Sequence, residues 1–294
     1  MWTPEFERFV APATRRPQIW RILVGLLVIL VCWIISTVGA FLALGLMIGF
    51  GEMEAWMSRF VAGSSPTGTL LTLFTFTGMA LGTIAAGYIH GRKAASLIGR
   101  RQLMPFVVGA GAVVAVNLLG ALIPTSLAVV ENTPRDVFLT FLPLALIGLL
   151  LQTGAEELAF RGYLQTQLAA RFRSPIVWMV LPSVLFGALH FQPGQFGANT
   201  FYVVGIITVV GLIAADLTRV TGGLGAAWGL HFANNCAGLL IVGSEGPLGG
   251  LALYRLTTSP DDPTLGPLML LDMGFLLLAW ALIRFWWSRQ THAT

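Results

Sequence analysis

Long stretches without a formally charged residue alternate along this chain with short polar connections, and the length of each stretch decides what it can form. A helix needs about 20 mostly apolar residues to cross roughly 30 Å of hydrocarbon. Positions 22–51, 61–89, 102–130 and 137–155 each meet that requirement, with room for tilt. The stretch 174–215 is too long for one crossing, and Gln192-Pro193-Gly194-Gln195 with Gly197 breaks it into two. Positions 220–244 supply a seventh crossing, and 264–283, which carries Asp272, an eighth. The pattern predicts an all-α polytopic membrane protein of about eight transmembrane helices.

Composition excludes the soluble alternative. The chain has 294 residues, 56% hydrophobic and 10% charged, and a mean hydropathy of +0.80; a water-facing domain carries roughly 25% charged residues. The 34 glycines do not argue against helices, because small residues let membrane helices approach closely. The small-xxx-small spacings are too frequent in such a composition for any one to carry meaning. Cys32 and Cys236 lie inside apolar stretches without metal-motif spacing and read as small core residues.

Charge adds orientation. Arg8, Arg15, Arg16, Arg21, Arg92, Lys93, Arg100, Arg101, Arg171, Arg173, Arg219, Arg284 and Arg289 fall in alternate connections. The opposite connections hold Arg59, Arg135 and Arg255 among Glu52, Glu54, Glu131, Asp136, Glu245, Asp261 and Asp262. The positive-inside rule places both termini in the cytoplasm and the protein in the inner, cytoplasmic membrane. The net charge of +4 is then accounted for by membrane-face anchors, with no nucleic acid as partner. The expected organisation is a cytoplasmic segment 1–21, a single membrane domain 22–287 and a cytoplasmic tail 288–294. The first apolar run reads as a retained helix, too long for a cleaved signal.

Ionisable groups at membrane depth cost about 2.5–3.5 kcal/mol each on insertion scales, so the few present become candidates for function. Glu157 and Arg161, four apart, share a helix face and can pair, while Glu156 points about 100° away. They read either as markers of a helix end at the interface or as a site. His190 closes the fifth stretch, either as a hydrogen-bonded structural group or as a ligand. His231 and Asn235, again four apart, offer two directed polar groups on one face: a stabiliser for an anionic intermediate, or a polar clamp between helices. Asp272 belongs to no such set. An acid and two histidines on three helices can activate a water or hold a divalent zinc with an open position. No His-Glu-x-x-His, Walker loop or serine nucleophile elbow is present. Gly222-Gly223-Leu224-Gly225 reads as a turn and helix start rather than a phosphate loop.

Three of these groups, in order, resemble the motifs of the CAAX prenyl endopeptidase and bacteriocin-processing (CPBP) intramembrane proteases, also called the Abi family, which includes the type II CAAX endopeptidases. Glu156-Glu157-Leu158-Ala159-Phe160-Arg161, followed by Gly162, resembles the first motif. Phe186 to His190 resembles Phe-x-x-x-His, and His231 to Asn235 the later His-x-x-x-Asn element. The resemblance covers roughly residues 140–240 and implies a CAAX-endopeptidase-like helical bundle with a proteolytic site open to the cytoplasmic side. It implies Glu156 as the base activating water with His190, Glu157 and Arg161 as supporting residues, and His231 with Asn235 at the oxyanion. The family has been described both as zinc metalloproteases and as metal-independent glutamate proteases. The expectation here is no cofactor; were zinc bound, its ligands would be Glu156, His190 and His231. The implied partner is a membrane-associated peptide or protein substrate in a lipid bilayer. The rival readings are a non-catalytic scaffold or immunity-type protein and a proton-coupled transporter.

Overall fold

The structure, a computed structural model, describes residues 2–63, 65–123, 127–244 and 248–291; Glu245, among the acids expected at the outer end, lies outside them. A short helix, α1 (Pro4–Val10), starts at Thr3, whose side chain caps the Phe6 N–H. It is followed by α2 (Ile19–Ile48), α3 (Met53–Ala62), α4 (Pro66–Ile89), α5 (Ala95–Ile98) and α6 (Leu103–Gly120). Next come β1 (Val129–Glu131) and α7 (Arg135–Glu157), which continues through a π-helical segment, Leu158–Gln165, into α8 (Thr166–Arg171). The second half contains α9 (Leu181–Ala188), entered through a π turn Ile176–Val180, then α10 (Pro193–Phe196), α11 (Thr200–Thr221) and α12 (Gly225–Cys236). A π turn Ala237–Ile241, β2 (Val242–Gly243), β3 (Tyr254–Leu256) and α13 (Leu265–Thr291) complete it.

Among the described residues, six helical stretches are long and apolar enough to span a bilayer: Ile19–Ile48, Pro66–Ile89, Leu103–Gly120, Arg135–Arg171, Pro193–Thr221 and Leu265–Gln290. The other two expected crossings form shorter helices. The fifth stretch forms Ile176–Ala188, and the seventh forms α12, of 12 residues, continued by a 5-residue π turn. The break at Gln192 to Gly197 is where it was expected, with Gly197 at φ +49°. The fourth stretch was expected to end near Ala155. It runs instead for 37 residues to Arg171, because Glu156, Glu157 and Arg161 face protein partners rather than the interface. The third stretch ends earlier than expected, at Gly120.

The strands were not expected either. β3 pairs antiparallel with β1 and parallel with β2 in a small sheet of order β1-β3-β2, fastened by Asn132, whose amide donates to the carbonyls of Gly249 and Ala252.

The arginine-rich connections gather at the other end. Thr3 Oγ1 donates to the Arg219 carbonyl at 2.6 Å, Phe6 packs on Trp178, and Gly99 bridges to Gly223. Gly222 ends α11 in the left-handed region at φ +69°, and the Gly225 N–H donates to Gln102 Oε1, so the glycine cluster is the expected turn. Asp216 binds α11 to α13 at this end: its carboxylate accepts from Arg219, Trp280 and Arg284 at 2.7–3.1 Å. Many apolar side chains of α2, such as Leu23, Ile35 and Leu46, are exposed, as a lipid-facing surface requires.

Two glycines set how closely helices approach the site. At Gly229 of α12 a Cβ would lie 2.0 Å from the Phe106 carbonyl oxygen of α6, and at Gly162 it would lie 2.3 Å from that of Leu97. Both obstacles are backbone, which cannot swing aside. Gly162→Ala is therefore expected to destabilise the protein by about 1–3 kcal/mol, the cost of overpacking. A thermal-unfolding midpoint in detergent unchanged from the parent would contradict it.

Candidate functional site

The site is built where α12 lies against α7. Trp228, His231 and Asn235 recur at the three- and four-residue spacing that puts side chains on one helix face, and all three reach α7. Trp228 Nε1 donates to the Leu150 carbonyl at 3.2 Å and to Thr153 Oγ1 at 3.1 Å. His231 Nδ1 lies 2.8 Å from Glu157 Oε1, and Asn235 Nδ2 donates to Gln152 Oε1 at 3.0 Å. At about 1.5 Å per residue, His231 sits about 9 Å along α12 from the arginine-rich end.

Glu157 and Arg161 pair as expected, Nη1 to Oε1 at 3.1 Å, and both are almost fully buried, at 1% and 2% exposure. Breaking into the π segment at Leu158 does not disturb this turn, and Arg161 also donates to the Gly211 carbonyl of α11 at 3.3 Å. Its guanidinium lies over the Phe186 ring, 4.7 Å from the centroid. A carboxylate held by an arginine is acceptor-only, so the 2.8 Å contact assigns the Nδ1 hydrogen of His231 to Glu157. That leaves Nε2, which lies 3.5 Å from Glu156 Oε2. The two acids were expected to face different ways; one imidazole spans both. With Nδ1–H committed, Nε2 is the edge of the ring turned to Glu156.

His190 occupies the end of α9. Its Nδ1 is 2.9 Å from the Phe186 carbonyl oxygen of its own turn, which leaves Nε2 unclaimed by that bond. Phe186 is the hub between the histidines, its centroid 5.2 Å from His190 and 6.0 Å from His231, with Phe160 at 5.0 Å. The structure thus joins Arg161, Glu157 and His231 by hydrogen bonds and sets Glu156 3.5 Å from His231. Asn235 stands one turn along α12, held by Gln152, and His190 lies across Phe186. Asp272 stands apart, exposed on α13.

Gln152, buried one turn before Glu156, was missed. Its side-chain oxygen accepts from Asn235 at 3.0 Å, so it anchors Asn235 on the turn of α7 that precedes the acid. The signal was available: Gln152 is four residues before Glu156 on an otherwise apolar helix, as Trp228 is three before His231. Gln152→Leu is expected to lower the site's activity about tenfold, because the Asn235 amide loses the buried hydrogen bond that positions it. An unaltered rate would remove Gln152 from the site.

The resemblance offers Glu156, His190 and His231 as the ligands of a zinc ion, which would need all three around one point. The 3.5 Å between Glu156 Oε2 and His231 Nε2 is near the roughly 3.3 Å separating two ligands of a tetrahedral zinc with bonds of about 2.0–2.1 Å. His190 does not join them: among the described residues no three His, Cys, Asp or Glu side chains form a group able to hold a metal ion. The residues as arranged supply two donors and do not fit a three-ligand shell.

Residues 138–237 match the family model described as type II CAAX prenyl endopeptidase Rce1-like. The chain is also similar to a protein of Bacillus subtilis (strain 168) described as the uncharacterized protein YyaK, 31% identical over 138 residues. That similarity covers 46% of this chain and 46% of the relative, so the chain matches about half the length of its curated relative. No solved structure matches. The family match runs from α7 into the π turn after α12 and takes in every residue of the site described above.

Proposed function

We propose, from the premise that residues 138–237 of this multi-pass membrane protein form an Rce1-like region, that the protein is an intramembrane endopeptidase. Its substrate is a peptide bond of a membrane-associated peptide or protein. The observation that carries this reading is the single imidazole of His231 between two buried acids, 2.8 Å from Glu157 and 3.5 Å from Glu156, inside the matched region.

The chemistry follows from that arrangement. Glu156 takes a proton from a water whose oxygen attacks the scissile carbonyl carbon, and His190, through Nε2, holds the water. The oxygen of the tetrahedral intermediate is stabilised by the charged edge of His231 and by the Asn235 amide, which retains a hydrogen beyond the one given to Gln152. Glu156 returns its proton to the leaving nitrogen as the C–N bond breaks, so the products are a carboxylic acid and an amine and the Glu156 carboxylate is regenerated. Arg161 pairs with Glu157, and Glu157, accepting from Nδ1–H, holds the ring of His231 so that its Nε2 edge faces the reaction. By the positive-inside rule the arginine-rich end, from which His231 is reached, faces the cytoplasm. The membrane is then the inner one, with both termini cytoplasmic.

Reconstitution of the full chain in lipid vesicles separates this reading from its rivals. Cleavage of a membrane-associated peptide without proton movement supports it. Proton uptake without cleavage would instead make the acids and histidines a transport relay. Neither activity, together with capture of an intact polypeptide, would make the protein a scaffold.

A further inference from the structure

The arginine-rich end carries two neighbouring clefts that peptide hydrolysis does not use. One, of about 440 Å³, lies between the amino-terminal segment and the turn after α4, lined by Arg15, Arg92 and Lys93. The other, of about 660 Å³, shares Pro12 and Ser96 with the first and extends towards Arg8, Arg100 and Arg101. Both volumes lie in the range of about 300–1,000 Å³ common to small-ligand sites. The acid among their lining residues is Glu5, and it is paired with Arg8 at 2.9 Å.

Arg92 distinguishes this place from a diffuse basic surface. It is 1% exposed, yet its guanidinium meets neutral acceptors: Thr166 Oγ1 at 2.7 Å, the Ser96 carbonyl at 2.8 Å and Ser96 Oγ at 3.3 Å. Among the described residues no carboxylate lies within ion-pair distance of it. Arginine is almost never fully buried unless paired. Burial pushes its pKa down to about 10, so the group stays charged at neutral pH and its charge has no counterpart among the described residues. The turn that places it depends on Gly91 at φ +70°, and the second cleft is bordered by Arg101 at φ +54°, a conformation uncommon outside glycine. The backbone there is held in a special shape around an excess of positive charge.

We propose that the cleft at Arg15, Arg92 and Lys93 is a binding site for a phosphate group, carried by an anionic phospholipid headgroup or free in solution. Arg15 and Lys93, both exposed, supply the guanidinium and ammonium donors for phosphate oxygens, and buried Arg92, its fork turned to Ser96 and Thr166, adds its charge beneath them. Basic pockets between membrane helices on the cytoplasmic side bind lipid headgroups in this way, and this one opens where α4 leaves the bundle. Through Thr166, Arg92 joins the cleft to the long helix that carries Glu156.

The test is thermal unfolding of the delipidated full chain in detergent, titrated separately with phosphatidylglycerol, phosphatidylcholine and inorganic phosphate. It reads binding and not cleavage, so its outcome is independent of the proteolytic reading. Phosphatidylglycerol is expected to raise the midpoint while phosphatidylcholine leaves it unchanged, and Arg15→Gln with Lys93→Gln is expected to weaken the response about tenfold or more. Arg171→Gln with Arg173→Gln removes the same charge outside the cleft and is expected to preserve it. A response to inorganic phosphate of the same size assigns the site to free phosphate; a response to the lipid alone assigns it to the headgroup. No response to either, or equal loss in the two double variants, overturns the proposal.

Discussion

Glu156→Gln is expected to lower peptide cleavage by about 10²–10⁴-fold, the contribution of a positioned general base, while the protein remains folded in the membrane. Gln keeps the shape of the side chain, and the bond from Asn235 to Gln152 is untouched. What it loses is the ability to take a proton, and with it the carboxylate that faces His231 Nε2 at 3.5 Å. Rates from purified parent and variant, with unfolding midpoints measured alongside, check this. A variant that cleaves within about threefold of the parent, far short of that loss, removes Glu156 from the base role.

The second large effect is on stability. Arg161→Met leaves Glu157, 1% exposed, as a buried charge without its cation, and breaking one side of such a pair costs about 3–5 kcal/mol. The π segment also loses its tie to the Gly211 carbonyl. Combining Arg161→Met with Glu157→Gln removes the stranded charge, so the double variant is expected to unfold at a higher temperature than Arg161→Met alone. If it unfolds lower, Arg161 is not there to neutralise Glu157. In the activity assay Glu157→Gln alone is expected to cost less than Glu156→Gln, because it disturbs the orientation of His231 and leaves the base in place. An equal or larger loss would reverse the roles of the two acids.

How much of this was legible in the sequence depends on the range over which each feature is decided. Charge-free runs locate the apolar helices, because crossing a bilayer is a condition on composition over some twenty residues. The ends of those helices are a different matter. Read along the chain, Glu156, Glu157 and Arg161 mark either an interface or a site; in the fold Arg161 and His231 satisfy Glu157, and the helix passes straight through. The shortness of α9 and α12 is equally invisible, since an apolar run does not say how much of it is helix. Within the site, the four-residue spacings put Glu157 with Arg161 and His231 with Asn235 on shared faces. That His231 would reach both acids, and Asn235 would bond Gln152, follows from the α7–α12 contact, which brings residues more than 70 positions apart together. The pairing of β1 and β3 is likewise a long-range event with only a few residues in each strand.

The central claim is that this group of residues adds water to a peptide bond, and the most direct measurement follows the water. Purified protein is incubated with a mixture of membrane-associated peptides in ¹⁸O-labelled water, with and without chelator, and the products are read by mass spectrometry. The expected result is a new carboxyl terminus carrying ¹⁸O from the parent protein, in both conditions, and no such product from Glu156→Gln. An absence of labelled termini from the parent, or the same labelled termini from the Glu156→Gln variant, would contradict it.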